Sequence, residues 1–187
     1  MLVLASRSPR RQDILRAAGI PFVVRPADVD ETPLPAETAE DLVRRLAQAK
    51  ARAITPGAGE VVLGADTAVV AQGVTLGKPA DAEDARRMWR LLAGHECTTM
   101  TGVCLRDRER EIVDVAASQL AFIPLSDAEI DAYVGSGEWQ DKAGAYAIQG
   151  LASKFVERIS PDFFNVMGLP VALVYKYLRT WPGFAVP

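Results

Sequence analysis

Leu2-Val3-Leu4-Ala5-Ser6-Arg7-Ser8-Pro9-Arg10-Arg11-Gln12-Asp13-Ile14-Leu15-Arg16-Ala17-Ala18-Gly19 leads from an apolar run straight into a helix. Leu2 to Ala5 reads as a short buried strand. Ser8 is a good N-cap, and Pro9 suits the first helical position, where its missing N–H costs nothing. Gly19 is a natural stop. Arg10 and Arg11 therefore fall in the first turn, where the helix dipole is already positive and cations are out of place. Two guanidiniums, the hydroxyls of Ser6 and Ser8, and open backbone N–H groups converge where an anion is welcome. A phosphate is the simplest reason to place them together, and a solvated helix start is the plain alternative. The strand-to-helix context favours the ligand, because open α/β sheets bind beyond the carboxyl ends of their strands.

The 187 residues suit one large α/β domain, or two lobes sharing a core. A hydrophobic content of 49% with 24% charged residues is that of a globular protein. A net charge of −3 argues against a nucleic-acid partner, which calls for a basic face. No apolar run reaches membrane-spanning length, and the first residues lack the charged region and cleavage site of a signal peptide. The expectation is a cytoplasmic protein with neither membrane nor nucleic acid as partner. Cys97 and Cys104 lie in one predicted strand at an odd spacing, so they face opposite sides and do not pair. With His95 the single histidine, a Cys/His zinc site and histidine-based nucleophilic catalysis have little to work with. Chemistry falls to carboxylates, lysines and arginines.

Strands are predicted at Pro21 to Val24, Val61 to Val70, Thr98 to Leu105, Ile112 to Ile123 and Phe155 to Ile159. Helices are predicted from the Thr38 cap to about Ile54, from Ala82 to Ala93 behind Asp81, from the Ser126/Glu129 capping box to Val134, and from Leu169 to Leu178. Ala27 to Glu37 is a polar loop, and Gln72-Gly73 turns the chain back. Strands and helices mix without strict alternation, which gives a mixed sheet flanked by helices, two lobes and a substrate cleft.

Asp66 is the strongest single candidate for chemistry. A carboxylate inside the apolar run Val61 to Val70 is expensive unless bonded or paired. Its neighbours Gly64, Ala65 and Thr67 are small, which leaves room for a ligand. Glu31 and Asp30 matter only if the fold brings them near Asp66, where carboxylates would hold Mg²⁺ or Mn²⁺. Lys50 and Lys78 read either as surface lysines or as phosphate contacts. Asp141-Lys142-Ala143-Gly144-Ala145-Tyr146-Ala147-Ile148-Gln149-Gly150 is rich in small residues that admit close backbone approach. Gln149 there offers an amide donor and acceptor suited to a base edge, against the alternative of a tightly packed strand and turn.

Together these pieces resemble the Maf family of nucleoside triphosphate pyrophosphatases. The resemblance spans the chain as one domain, 1–187. It rests on Ser6-Arg7-Ser8-Pro9-Arg10-Arg11, Ala49-Lys50-Ala51, Leu63-Gly64-Ala65-Asp66-Thr67, Gly77-Lys78-Pro79, Thr101-Gly102-Val103, Asp141 to Gly150, and Val166-Met167-Gly168-Leu169-Pro170. It implies an architecture related to inosine triphosphatases and cleavage of a nucleoside triphosphate between its α and β phosphates, with a divalent metal, Mg²⁺ or Mn²⁺. It implies Asp66 as general base and metal ligand, and Glu31 as metal ligand. Ser8, Arg11, Lys50 and Lys78 would contact phosphates, while Arg10, Thr67 and Gln149 would bear on the base. The Asp141 to Gly150 form looks like the dTTP/UTP branch and not the 7-methyl-GTP branch, and the family suggests a homodimer. Cys97, Thr99 and Ser160 to Asn165 depart from the family pattern without touching the catalytic group. A nucleotide-binding regulator linked to septum formation and a purine-directed pyrophosphatase are the rival readings.

Overall fold

The computed structural model describes residues 1–185; residues 186 and 187 lie outside the described residues. Among the described residues seven strands form one mixed sheet: β1 (Leu2–Leu4), β2 (Phe22–Val24), β3 (Val61–Ala71), β4 (Val74–Leu76), β5 (Glu96–Arg106), β6 (Glu111–Phe122) and β7 (Val156–Ser160). The order is β2-β1-β3-β5-β6-β7, with β4 paired to β3. The helices are α1 (Pro9–Ala17), α2 (Ala39–Arg52), α3 (Ala82–Leu92), α4 (Asp127–Gly135), α5 (Phe163–Met167) and α6 (Val171–Leu178). The mixed α/β class read from the sequence is the one observed.

Local chemistry explains most boundaries. β1 lies parallel to both β2 and β3, and a strand sandwiched this way has no side free for water. Leu2, Val3 and Leu4 are accordingly fully buried. Gln72 and Gly73 both take positive φ, at 49° and 75°, as a two-residue hairpin loop requires, and β4 folds back antiparallel on β3. Thr38, Asp81 and Ser126 each accept an N–H from the first turn of their helices, and Ser126 with Glu129 completes a capping box.

Three details differ from the sequence reading or add to it. Helix α6 begins at Val171, after Pro170, and not at Leu169. The short helix α5 was not foreseen, because five residues are too few for a periodic signal. Asp141 to Gly150 contains a 3₁₀ turn at Ala143–Ala145 and no strand, since Gly144 and Ala145 take left-handed φ of 73° and 61°.

The chain divides into two compact units. The first comprises Met1–Asp66, Thr101–Ala116 and the stretch from Gly168 onward; the second comprises Thr67–Met100 and Ala117–Met167. The first unit's cluster of Val3, Ala5, Ala47, Ala51, Val62 and Cys104 consists of small side chains, so helix and sheet lie close. Gly64 and Gly102 take this further. A Cβ on Gly64 would fall 2.7 Å from Ala51 N, and one on Gly102 would fall 2.6 Å from the Val43 carbonyl carbon, both on α2.

The second unit is built around Trp89. Its ring meets Phe122, Tyr133 and Phe155 edge-on, with centroids 5.5, 4.8 and 5.6 Å away. Each such pair contributes about 0.5–1.5 kcal/mol beyond area burial. The indole N–H is satisfied by Ala145 O at 3.0 Å. Cys97 and Cys104 are free and buried, and desolvation pushes each thiol up to about 12. His95 is an exposed turn residue, as its place after Gly94 suggested.

Candidate active site

The first unit contains six of the predicted site residues: Ser8, Arg10, Arg11, Glu31, Lys50 and Asp66. Strand β3 is buried from Val61 to Ala65 and loosens at Asp66, so the carboxylate sits where the strand begins to meet solvent. Lys50, on the last turn of α2, is buried and reaches it: Nζ lies 2.6 Å from Asp66 Oδ1. The same Nζ lies 2.6 Å from Glu31 Oε1. The side chains of Lys50 and Asp66 are 9% and 14% exposed, whereas Glu31 is 44% exposed. One nearly buried ammonium is thus clamped between an inner and an outer carboxylate. A surface lysine would extend its tip into water, so that alternative for Lys50 is set aside.

Helix α1 begins beside Ser6 and Ser8. The Ser8 hydroxyl caps the Arg11 N–H at 3.5 Å, and Ser6 Oγ accepts the Ser8 N–H at 3.2 Å. Arg11 is buried, donating from Nε to Gly168 O at 2.8 Å and from Nη1 to Ser6 Oγ at 3.2 Å. Arg11 therefore ties the Ser6 to Arg11 segment to the backbone at Gly168. Burial pulls its guanidinium below the ordinary range and Arg10 adds to this, while Asp66 and Glu31 oppose. Asp66, Arg10 and Glu31 are thus all near enough for their charges to act on Arg11.

The loop that carries Glu31 is fastened to α2. Arg45 makes a two-pronged pair with Glu37, Nε to Oε1 at 2.6 Å and Nη2 to Oε2 at 2.8 Å, and donates to Thr32 O at 3.1 Å. Glu37 Oε2 also accepts the Leu34 N–H, and Asp30 Oδ1 accepts the Thr32 N–H, both at 2.9 Å. Neither Arg45 nor Glu37 was singled out from sequence, where they look like ordinary helix-flanking charges. The Arg45 hydrogen bond holds the Glu37 carboxyl down to about 2, from 4.5. Because the folded value lies below the unfolded one, the contribution to stability is complete above pH 4.5 and is lost as pH falls toward 2. Glu37→Gln is accordingly expected to flatten the melting-temperature profile over that acid range and to lower it at pH 7. Coincident acid limbs for the two proteins would show that the pair does not form.

Thr67, Lys78 and Gln149 belong to the second unit. Thr67 follows Asp66 on β3, Lys78 is exposed after β4, and Gln149 is exposed on a turn. Gly144 N donates to Gly77 O at 3.0 Å, so the Gly77-Lys78-Pro79 and Asp141 to Gly150 segments do meet. The small residues prove to serve packing. The space beside Gly64 is filled by α2 backbone, that beside Gly144 by Tyr146 and Val69, and that beside Gly150 by Glu138.

Glu31 and Asp66 are hard oxygen donors, and their donor set fits Mg²⁺ or Mn²⁺. Such ions are commonly held by one or two carboxylates, with waters and substrate phosphates completing the shell. Among the described residues no group of three or more His, Cys, Asp or Glu gathers to cage a metal.

The fold is thus a mixed α/β sheet with a lysine-bridged carboxylate pair and an arginine-bearing helix start. The chain belongs to the Maf-like protein family, whose model matches residues 1–181. A protein named dTTP/UTP pyrophosphatase from Anaeromyxobacter dehalogenans (strain 2CP-C) is 53% identical over 190 residues, covering 100% of this chain and 96% of that one. Its namesake from Koribacter versatilis (strain Ellin345) is 47% identical over 179 residues, covering 95% and 93%. Among solved structures, the Staphylococcus aureus Ham1 protein matches loosely, at TM-score 0.45 and 14% identity, over 67% of this chain and 72% of that one. No helix among the described residues is long and apolar enough to cross a membrane.

Proposed function

We propose that this chain is a nucleoside triphosphate pyrophosphatase that hydrolyses dTTP and UTP to the monophosphate and pyrophosphate. The observation that carries the reading is Lys50, held 2.6 Å from both Glu31 and Asp66 in a chain similar from end to end to proteins of that name. Breaking a phosphoanhydride asks a protein mainly for positioning, charge neutralisation and an oriented water. Asp66 takes the proton from the water whose oxygen forms the new P–O bond, as the bond between the α and β phosphates breaks. Lys50 and Lys78 balance phosphate charge, as does the Arg11 end of α1 with Ser8. Arg10, Thr67 and Gln149 bear on the base. Glu31 and Asp66 would hold Mg²⁺ or Mn²⁺, which when bound neutralises phosphate charge and makes bound water more acidic. A nucleotide of the cytoplasmic pool is the partner on this reading.

Pyrophosphate release from dTTP, UTP, CTP, GTP, 7-methyl-GTP and ITP, with Mg²⁺ or Mn²⁺, tests this directly. Turnover is expected on dTTP and UTP above the rest. Nucleotide binding without release across the panel would point to a regulator, and activity confined to purines would overturn the assignment of Gln149.

A further inference from the structure

We propose that Glu138, acting with Tyr133, is a positioning residue that fixes the turn bearing Gln149 and so sets the choice of base. This rests on Gln149 reading the base as proposed above. Gly144 to Ile148 are buried and Gln149 is exposed, so the turn lifts one amide out of a packed run. The turn's own closure is a single bond, Gly150 N to Ala147 O at 3.0 Å. Side-chain support on both flanks leads to one carboxylate. On the exit side, Glu138 Oε1 accepts the Leu151 N–H at 2.9 Å, and Oε2 accepts the Ala152 N–H at 3.4 Å. On the entry side, the Tyr133 hydroxyl accepts the Ala147 N–H at 3.2 Å and donates to Glu138 Oε2 at 2.9 Å. Both flanks of Gln149 thus converge on Glu138.

The carboxylate is itself held. The Glu138 N–H donates to Ser136 Oγ at 3.2 Å, and Trp139 Nε1 donates to Val134 O at 2.9 Å. Tyr133 is packed against Trp89 in the core. Gly150 is what admits the carboxylate: a Cβ there would come 2.6 Å from Glu138 Cδ and closer to its oxygen. The chemistry requires a carboxylate, because three donors need acceptor-only oxygens on both prongs. A glutamine offers one acceptor oxygen and turns an NH₂ toward the remaining donors.

The experiment measures kcat and KM of the full chain for dTTP, UTP and CTP in wild type, Gln149→Ala, Glu138→Ala, Glu138→Gln and Gly150→Ala. Glu138→Ala is expected to lower the preference for dTTP over CTP by about tenfold, roughly the effect of one lost hydrogen bond. The change should lie in KM, with kcat within about twofold, and Glu138→Gln should fall between wild type and Glu138→Ala. Adding Glu138→Ala to Gln149→Ala should produce little further loss, because the two act as a unit. Faster amide exchange at Leu151 and Ala152 would report the broken support. If Glu138→Ala does not fold, Tyr133→Phe, which keeps the ring, reads the same preference. A drop with Gln149→Ala but none with folded Glu138→Ala overturns the proposal. An unchanged preference in Gln149→Ala overturns it too, whatever the wild-type chain does to dTTP. Calorimetric affinities for dTTP and CTP give the same preference without turnover, so failure of the catalytic reading is told apart from failure of this one.

Discussion

Asp66→Asn is expected to lower kcat for dTTP and UTP by about 10²–10⁴-fold, the range for loss of a general base. Asparagine keeps the volume and an oxygen for Lys50, but it cannot take a proton. Lys50 also keeps Glu31 as a counter-charge at 2.6 Å, so no ammonium is stranded in the interior. Folding should survive, and because Glu31 remains as a carboxylate donor for the ion, the affinity for dTTP should fall far less than kcat. Stopped assays of pyrophosphate release beside calorimetric binding separate the two effects. Normal turnover by this variant would remove Asp66 from the role of base. A tenfold loss of affinity with unchanged kcat would make it a binding residue.

Gly64→Ala is expected to destabilise the protein by about 3 kcal/mol, at the upper end for overpacking, or roughly 10 °C in melting temperature. The reason is backbone and not a movable side chain. The added methyl meets Ala47 O and Ala51 N of α2, neither of which can rotate away. Helix and strand must part, and Lys50 rides on that same helix. Gly64→Ala should therefore also weaken the reach from Lys50 to Asp66 and reduce turnover beyond the loss of folded protein. Gly102→Ala meets Val43 on the same helix and should show a comparable loss of stability. Gly135→Ala is the control: it lies in a helix with nothing within 4 Å of an added Cβ, so it should be neutral or slightly stabilising. Equal melting temperatures for Gly64→Ala and wild type would mean that α2 is not pressed against β3 in solution.

These two cases show where local sequence stops being informative. Asp66 was legible because a carboxylate in an apolar strand has no inexpensive local explanation. Gly64 was legible as a small neighbour of Asp66, but its smallness was assigned to a ligand. The space is taken by a helix that the chain laid down earlier. Lys50 gave no local sign of its burial, for a lysine among alanines near a helix end is the commonest kind of surface residue. Glu31 sits in a loop without periodicity, and its approach to Lys50 depends on Arg45 and Glu37 fastening that loop to α2. Glu138 was passed over because it bonds backbone N–H groups more than ten residues away, and backbone donors leave no mark on residue types.

The sequence by itself determined the elements and their class. The strand and capped helix at Leu2 to Gly19, the two-residue hairpin at Gln72-Gly73, and the caps at Thr38, Asp81 and Ser126 all follow from hydrogen bonds and φ preferences within a few residues. The ordered set of motifs also determined the family, because a resemblance spread along the chain needs no coordinates. Tertiary structure alone decided which charges meet. Lys50 finds Glu31 and Asp66, Arg11 finds Gly168, and Glu138 closes on both sides of Gln149. Each pairing joins segments whose separation is fixed by how closely a helix packs on the sheet or a loop on a helix. That distance depends on atoms the chain supplies far away, so no window of sequence contains it.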